Sequence, residues 1–197
     1  MGKIKSALEI ALERTESVKS DKGSLGVFEL KQKGKKLANS FLEGTVKSLE
    51  AEIKKEKTEQ QLSFKQGIFD VLVSQISLPG VKEDLPRIEN ACLGINIVIG
   101  DKSFGEIIKQ FIQIMSQYLE ETARFEEGLK RQYAPKLRQK EEELSKRLGR
   151  AVKLDPFQDP EFAKFYTQNI NALKANYQAA ADELREEAKR LFEAVSA

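Results

Sequence analysis

Between residues 104 and 152 the chain carries apolar side chains at Phe104, Ile108, Phe111, Met115, Tyr118, Phe125 and Leu129, then at Leu137, Leu144, Leu148 and Val152. Steps of three, four and seven place these on one stripe of an α-helix, whereas a strand would scatter them over both faces. At about 1.5 Å per residue the predicted helix runs roughly 70 Å, well beyond the usual three or four turns. A rod of that length cannot cover its own stripe. The rest of the chain, or a second copy of it, must supply the facing surface.

The preceding segments are read against that demand. Ile4, Ala7, Leu8, Ala11 and Leu12 form a shorter stripe. They predict an N-terminal helix over residues 1–22, ending in the turn-forming run Ser20-Asp21-Lys22-Gly23-Ser24. Its polar face balances acid with base, which favours packing on protein over a membrane surface. A long second helix is expected over residues 25–78, carrying Phe28, Leu30, Leu37, Phe41, Leu49, Ile53, Leu62, Ile68, Leu72 and Ile76. The polar run from Lys54 to Gln61 lies inside it and admits either a continuous rod or the meeting of two helices. Gly34, Gly44 and Gly67 also fall inside, each costing up to about 1 kcal/mol relative to Ala. At Gly34 and Gly44 the stripe continues past the glycine, so close approach of a neighbouring helix is expected there.

Pro79-Gly80 closes this segment, and residues 81–100 are read as the hairpin end, with Pro86 opening a short helix. The run Ile95-Asn96-Ile97-Val98-Ile99 is strand-like by propensity, and in an all-helical chain it also reads as an apolar plug. Ile95, Ile97, Val98 and Ile99 are candidate partner contacts. The long third helix is expected over residues 101–153, capped by Asp101 or Ser103, with Glu106 placed to complete a capping box from Ser103, and kinked near Pro135. Glu126/Lys130, Glu127/Arg131, Glu142/Lys146 and Glu143/Arg147 stand four apart and mark its solvated face. Asp159-Pro160-Glu161 then starts a last helix over residues 159–196. Phe162, Tyr166, Ile170, Leu173, Tyr177, Ala180, Leu184, Ala188, Leu191 and Val195 follow in heptad-like steps, and Leu173, Tyr177 and Leu184 join the candidate partner contacts.

The reading is therefore all-α: an elongated antiparallel helical bundle or coiled-coil hairpin, with three long helices and a shorter N-terminal one. It is taken as one domain over residues 1–197, forming a homodimer that shares stripes.

Composition narrows the chemistry. The chain has no histidine and a single cysteine, Cys92. That removes Ser/His and Cys/His nucleophilic sites, Glu-x-x-His di-metal bundles and most zinc sites. Lys plus Arg number 33 against 31 for Asp plus Glu, too even a balance for a strong nucleic-acid signal. Lys31, Lys33, Lys35 and Lys36 form the densest basic cluster and are the candidate anion contacts. Glu141-Glu142-Glu143 lacks the glycine and alternating oxygens of a calcium loop. Glu9 and Glu13 interrupt the only early apolar stretch, so no secretory leader is expected, and no window approaches the about 18 apolar residues of a spanning helix. Cys92 suits a small buried hydrophobe in a reducing cytoplasm. No catalytic, cofactor or metal residue is assigned. The expected function is non-enzymatic, a helical interaction, scaffold or adaptor protein that also binds an unidentified protein partner. The alternatives are an anionic surface (membrane or nucleic acid) met by lysine-rich faces, and small-molecule binding or histidine-independent catalysis in the bundle core.

Overall fold

The computed structural model describes the backbone of residues 7–196 and the side chains of residues 24–196. Ile4 and the side chains of Ala7, Leu8, Ala11 and Leu12, which carry the first predicted stripe, lie outside the described residues. The regular structure among the described residues is entirely helical. Its α-helices are α1 (Ala7–Leu42), α2 (Leu49–Lys55), α3 (Thr58–Ser74), α4 (Leu85–Ile99), α5 (Phe104–Leu148) and α6 (Pro160–Ser196), with single 3-10 turns at Lys82–Asp84 and Pro156–Gln158.

The helix boundaries differ from expectation at several places, each for a local reason. α1 runs through residues 20–24 without the predicted stop. A serine, an aspartate and a glycine make a helix costlier but do not forbid it, as a proline would. The expected second rod is three helices. Gly44 is not a close-approach site: it takes a left-handed φ of 75° with open space around it. Its N–H bonds the Phe41 carbonyl at 3.0 Å and the Thr45 N–H bonds the Ser40 carbonyl at 3.0 Å, a glycine C-cap that ends α1. The polar run of residues 54–61 is a junction of two helices, because Glu56 and Lys57 are extended, with ψ of 147° and 141°. Ile95 to Ile99 is neither strand nor loop but the last turns of α4, which Gly100 terminates with φ 76°. α5 passes unbroken through Pro135, whose ring is on an exposed part of the helix surface.

The chain divides into two compact units. The first comprises Met1–Gln75, Asn90–Lys102 and Ala188–Ala197. Here α1 and α3 cross in antiparallel sense, backbone against backbone. A Cβ on Gly34 would fall 2.2 Å from the Phe64 carbonyl oxygen, and one on Gly67 would fall 2.1 Å from that of Lys31. Around this crossing Ala38, Phe64, Ile68 and Leu72 are buried, and Phe69 stacks on Phe192 with centroids 4.4 Å apart. Leu49 and Ile53 from α2, and Ala91, Cys92, Ile95, Val98 and Ile99 from α4, complete the core. Burial in this core outweighs the weak helix propensity of the β-branched run in α4.

The second unit comprises Ile76–Glu89 and Ser103–Glu187. Within it α5 and the greater part of α6 run antiparallel: Tyr118 meets Tyr177 with centroids 5.1 Å apart and Tyr133 meets Phe162 at 5.2 Å. The residues of α5 that are buried are Phe104, Ile108, Phe111, Met115, Tyr118, Leu129 and Tyr133. Phe125, expected in that stripe, is 37% exposed, and Tyr133 joins the seam beyond Leu129. On α6 the buried positions in this unit are Phe162, Ile170, Ala181 and Leu184, so Ala181 replaces the expected Ala180. A straight helix of 3.6 residues per turn drifts about 20° per heptad, which rotates a strict seven-residue stripe off the contact line.

Replacing Gly34 or Gly67 with Ala forces the crossing backbones apart and is expected to cost about 3 kcal/mol. Gly128, within α5 and with nothing near its absent side chain, should by contrast gain about 1 kcal/mol as Ala. Urea unfolding of the three variants checks both signs; a Gly67→Ala protein as stable as wild type would contradict the packed crossing.

Candidate functional site

α6 begins opposite Tyr133, so residues 137–148 of α5 extend past its start. What lies beside them is the connecting segment. Gly149 caps α5 with a φ of 65° and turns the chain back. The Val152 N–H then bonds the Ser145 hydroxyl at 2.9 Å, and the Leu154 N–H bonds the Glu141 carboxylate at 2.8 Å. Residues 149–159 thus form a strap held on the end of α5 by side-chain acceptors from α5. Asp155 accepts the Phe157 N–H at 3.0 Å and sets up the 3-10 turn that leads into α6.

Asp159 stands at this corner and is the one buried charged residue described. Oδ1 accepts the Glu161 N–H at 3.0 Å, capping α6, whose first residue is Pro160 and thus has no N–H to satisfy. The same carboxylate receives Lys140 Nζ at 2.9 and 2.7 Å, and Oδ2 takes the Tyr133 hydroxyl at 3.1 Å. Lys140 also pairs with Glu161, which Lys136 reaches at 3.2 Å. Lys140 and the carboxylates hold one another charged. Lys140 keeps the Asp159 and Glu161 carboxyls below the usual carboxylate range, and those two acids push Lys140 above the ordinary lysine value. Burial, and then the bond to Asp159, raise the Tyr133 phenol. Beneath the ions lies an aromatic cluster. Phe162 packs on Tyr133, Phe157 stands edge-on to Phe162 and Tyr166 at 5.3 and 5.1 Å, and Lys130 sits 5.1 Å over the Phe157 ring.

Beside this network a cleft of about 320 Å³ opens between α5 and the strap. Lys140, Glu143, Leu144 and Arg147 line one wall, and Leu154, Gln158, Asp159 and Pro160 the other. Among the described residues no group of three or more Cys, Asp or Glu side chains is placed to hold a metal ion, and no helix is long and apolar enough to cross a membrane.

The residues singled out from sequence lie elsewhere. Ile95, Val98 and Ile99 are core side chains of the first unit and offer no contact surface; Ile97 alone of that run is exposed, at 38%. They are buried because the segment is helical and three of its four aliphatic residues fall on the inner face. Leu184 is buried in the α5–α6 seam, while Leu173 and Tyr177 are half-buried at its edge. Of the four lysines, Lys33 is paired with Glu56 and lies 5.7 Å from the Phe64 ring centre, so its charge is already answered within the chain. Lys31, Lys35 and Lys36 do not share that tie. The cap at Asp159 was legible in Asp159-Pro160-Glu161, but Lys140 was not; its spacing of seven from Tyr133 places both on one face and is the signal that could have found it.

The pH behaviour follows from the directions of the shifts. Asp159 and Glu161 contribute fully above the ordinary carboxylate range and lose their contribution as pH falls through their depressed values. Lys140 contributes fully below the ordinary lysine value and loses it only as pH rises through its elevated one. Lys140→Met should therefore lower Tm at neutral pH and converge on wild type as pH falls through the depressed values of the two acids and they take up protons. Asp159→Ala additionally removes the cap, worth about 1 kcal/mol. Melting curves against pH test both; a constant Tm difference across the acid limb would rule the ion network out as a source of stability.

No curated protein and no solved structure matches the chain. A family model does, over residues 50–190, a span from the first turn of α2 far into α6 that contains the whole Tyr133–Asp159 network and the cleft. The chain belongs to that family, described as a family of unknown function (DUF6657).

Proposed function

We propose that this protein is a non-enzymatic helical interaction protein whose second unit binds along one flank of the α5–α6 pair, and that its first partner is another copy of itself. The observation that carries the reading is an incompletely covered apolar flank. Two antiparallel helices share only one seam, so the residues flanking it stay open to a third or fourth helix. Ile107, at 37% exposure, and Ile114 on α5 share one side with Ala180 on α6, around a hollow of about 230 Å³. Further along, Phe125 and Leu173 line a second hollow of about 310 Å³ with Glu121 and Arg124. A second α5–α6 pair laid there completes an antiparallel four-helix arrangement of coiled-coil type, and a two-fold axis lets one flank serve both copies. The lone buried thiol of Cys92 is in keeping with work in a reducing compartment such as the cytoplasm.

Light scattering after gel filtration should give the mass of a dimer for the wild type, and that of a monomer for Ile107→Glu combined with Phe125→Glu, with helicity by circular dichroism retained. A monomeric wild type at the highest accessible concentration, or a double variant that stays dimeric, would remove this flank as the interface.

A further inference from the structure

We propose that the cleft between α5 and the strap binds a free α-amino acid with an apolar side chain. The cleft measures about 320 Å³, at the small end of ligand pockets and ample for a single amino acid. Its apolar surface comes from Leu144, Leu154 and Pro160. Of its charged lining, Lys140 and Asp159 satisfy each other at 2.7 Å and present no net charge. Glu143 and Arg147 are different. They stand four apart in the favourable order, like Glu126/Lys130 and Glu127/Arg131, which close at 2.6 and 3.1 Å in the same helix. Among the described residues neither Glu143 nor Arg147 has an ion-pair partner, and the side-chain amide of Gln158 across the cleft makes no hydrogen bond.

The cleft thus offers one free anion and one free cation about a helical turn apart, over an apolar surface. A simple anion would be drawn by Arg147 and repelled by Glu143, and a simple cation the reverse. A zwitterion answers both: its ammonium donates to Glu143, its carboxylate accepts from Arg147 and Gln158, and its side chain covers Leu144, Leu154 and Pro160. The pair that Glu143 and Arg147 would otherwise make on an exposed helix face is worth about a factor of two, so it competes weakly.

The test is a titration of the isotope-labelled full chain with L-leucine and L-phenylalanine, followed by amide chemical shifts. Saturable shifts confined to residues around Leu144, Leu154 and Gln158 are expected, with N-acetyl-L-leucine amide, which lacks both charges, giving none. Arg147→Ala and Glu143→Gln, both at exposed positions, should keep the wild-type fold and melting temperature while weakening binding about tenfold or more. Leu154→Trp, which fills the cleft, should abolish it. The proposal is overturned if neither amino acid shifts these amides, if the capped leucine binds as well as the free one, or if folded Arg147→Ala binds undiminished. Each outcome can be read whether or not the protein dimerises.

Discussion

A single helix of 45 residues with one apolar stripe leaves the chain one dominant problem: what covers it. Fully burying a large aliphatic or aromatic side chain is worth about 1.5–3 kcal/mol, and α5 buries seven residues as far as Tyr133, so the antiparallel return of α6 is the main stabilising event of the second unit. α6 starts too late to reach the rest. The last turns of α5 are left to an extended strap, which is thinner than a helix. Leu137 and Leu144 are therefore only half-buried, and Leu148 is 57% exposed. The cleft is the space a helix would have filled.

The strap stays in place because the corner after it is tied by charge. Asp159 has three partners of different kinds: a backbone N–H at the helix start, an ammonium and a phenol. A buried carboxylate is costly unless its lone pairs are occupied, and here they are. The helix N-terminus favours the same negative charge that Lys140 neutralises, so the cap and the ion pair reinforce one another. With no histidine in the chain, and with the acids held low and the lysine held high, the ionisation of this corner is constant across the range in which most cellular pH changes occur.

Helical class, the start and length of α5 and the start of α6 were readable because they rest on local rules: periodicity, an Asp-Pro cap and the scarcity of proline. What escaped depended on contacts between distant residues or on the choice between two uses of one residue type. Glycine inside an apolar pattern marks either a close crossing or a helix end; Gly34 is the first, Gly44 the second, and both sit in an apolar pattern that continues beyond them. The β-branched run in α4 has strand propensity that burial overrides. Lys140 looked like any solvated lysine, because the carboxylate that makes it part of a site arrives from 19 residues later, after a turn whose path no local rule specifies. Phe125 was placed in the seam by spacing alone, and a small angular drift left it at the edge.

The contact between Gly34 and Gly67 has a consequence for alignment. Where helices meet through side chains, a slip by one turn costs some packing and finds new partners. Where they meet through main-chain atoms, neighbouring positions cannot take the place of the glycine. Sliding α1 by one residue would bring the Cβ of Lys33 or Lys35 into the backbone of α3, and rotating it would do the same. The two absent side chains act as a locating notch, giving this pair of helices a single mechanical register before any of the surrounding apolar residues has closed around it.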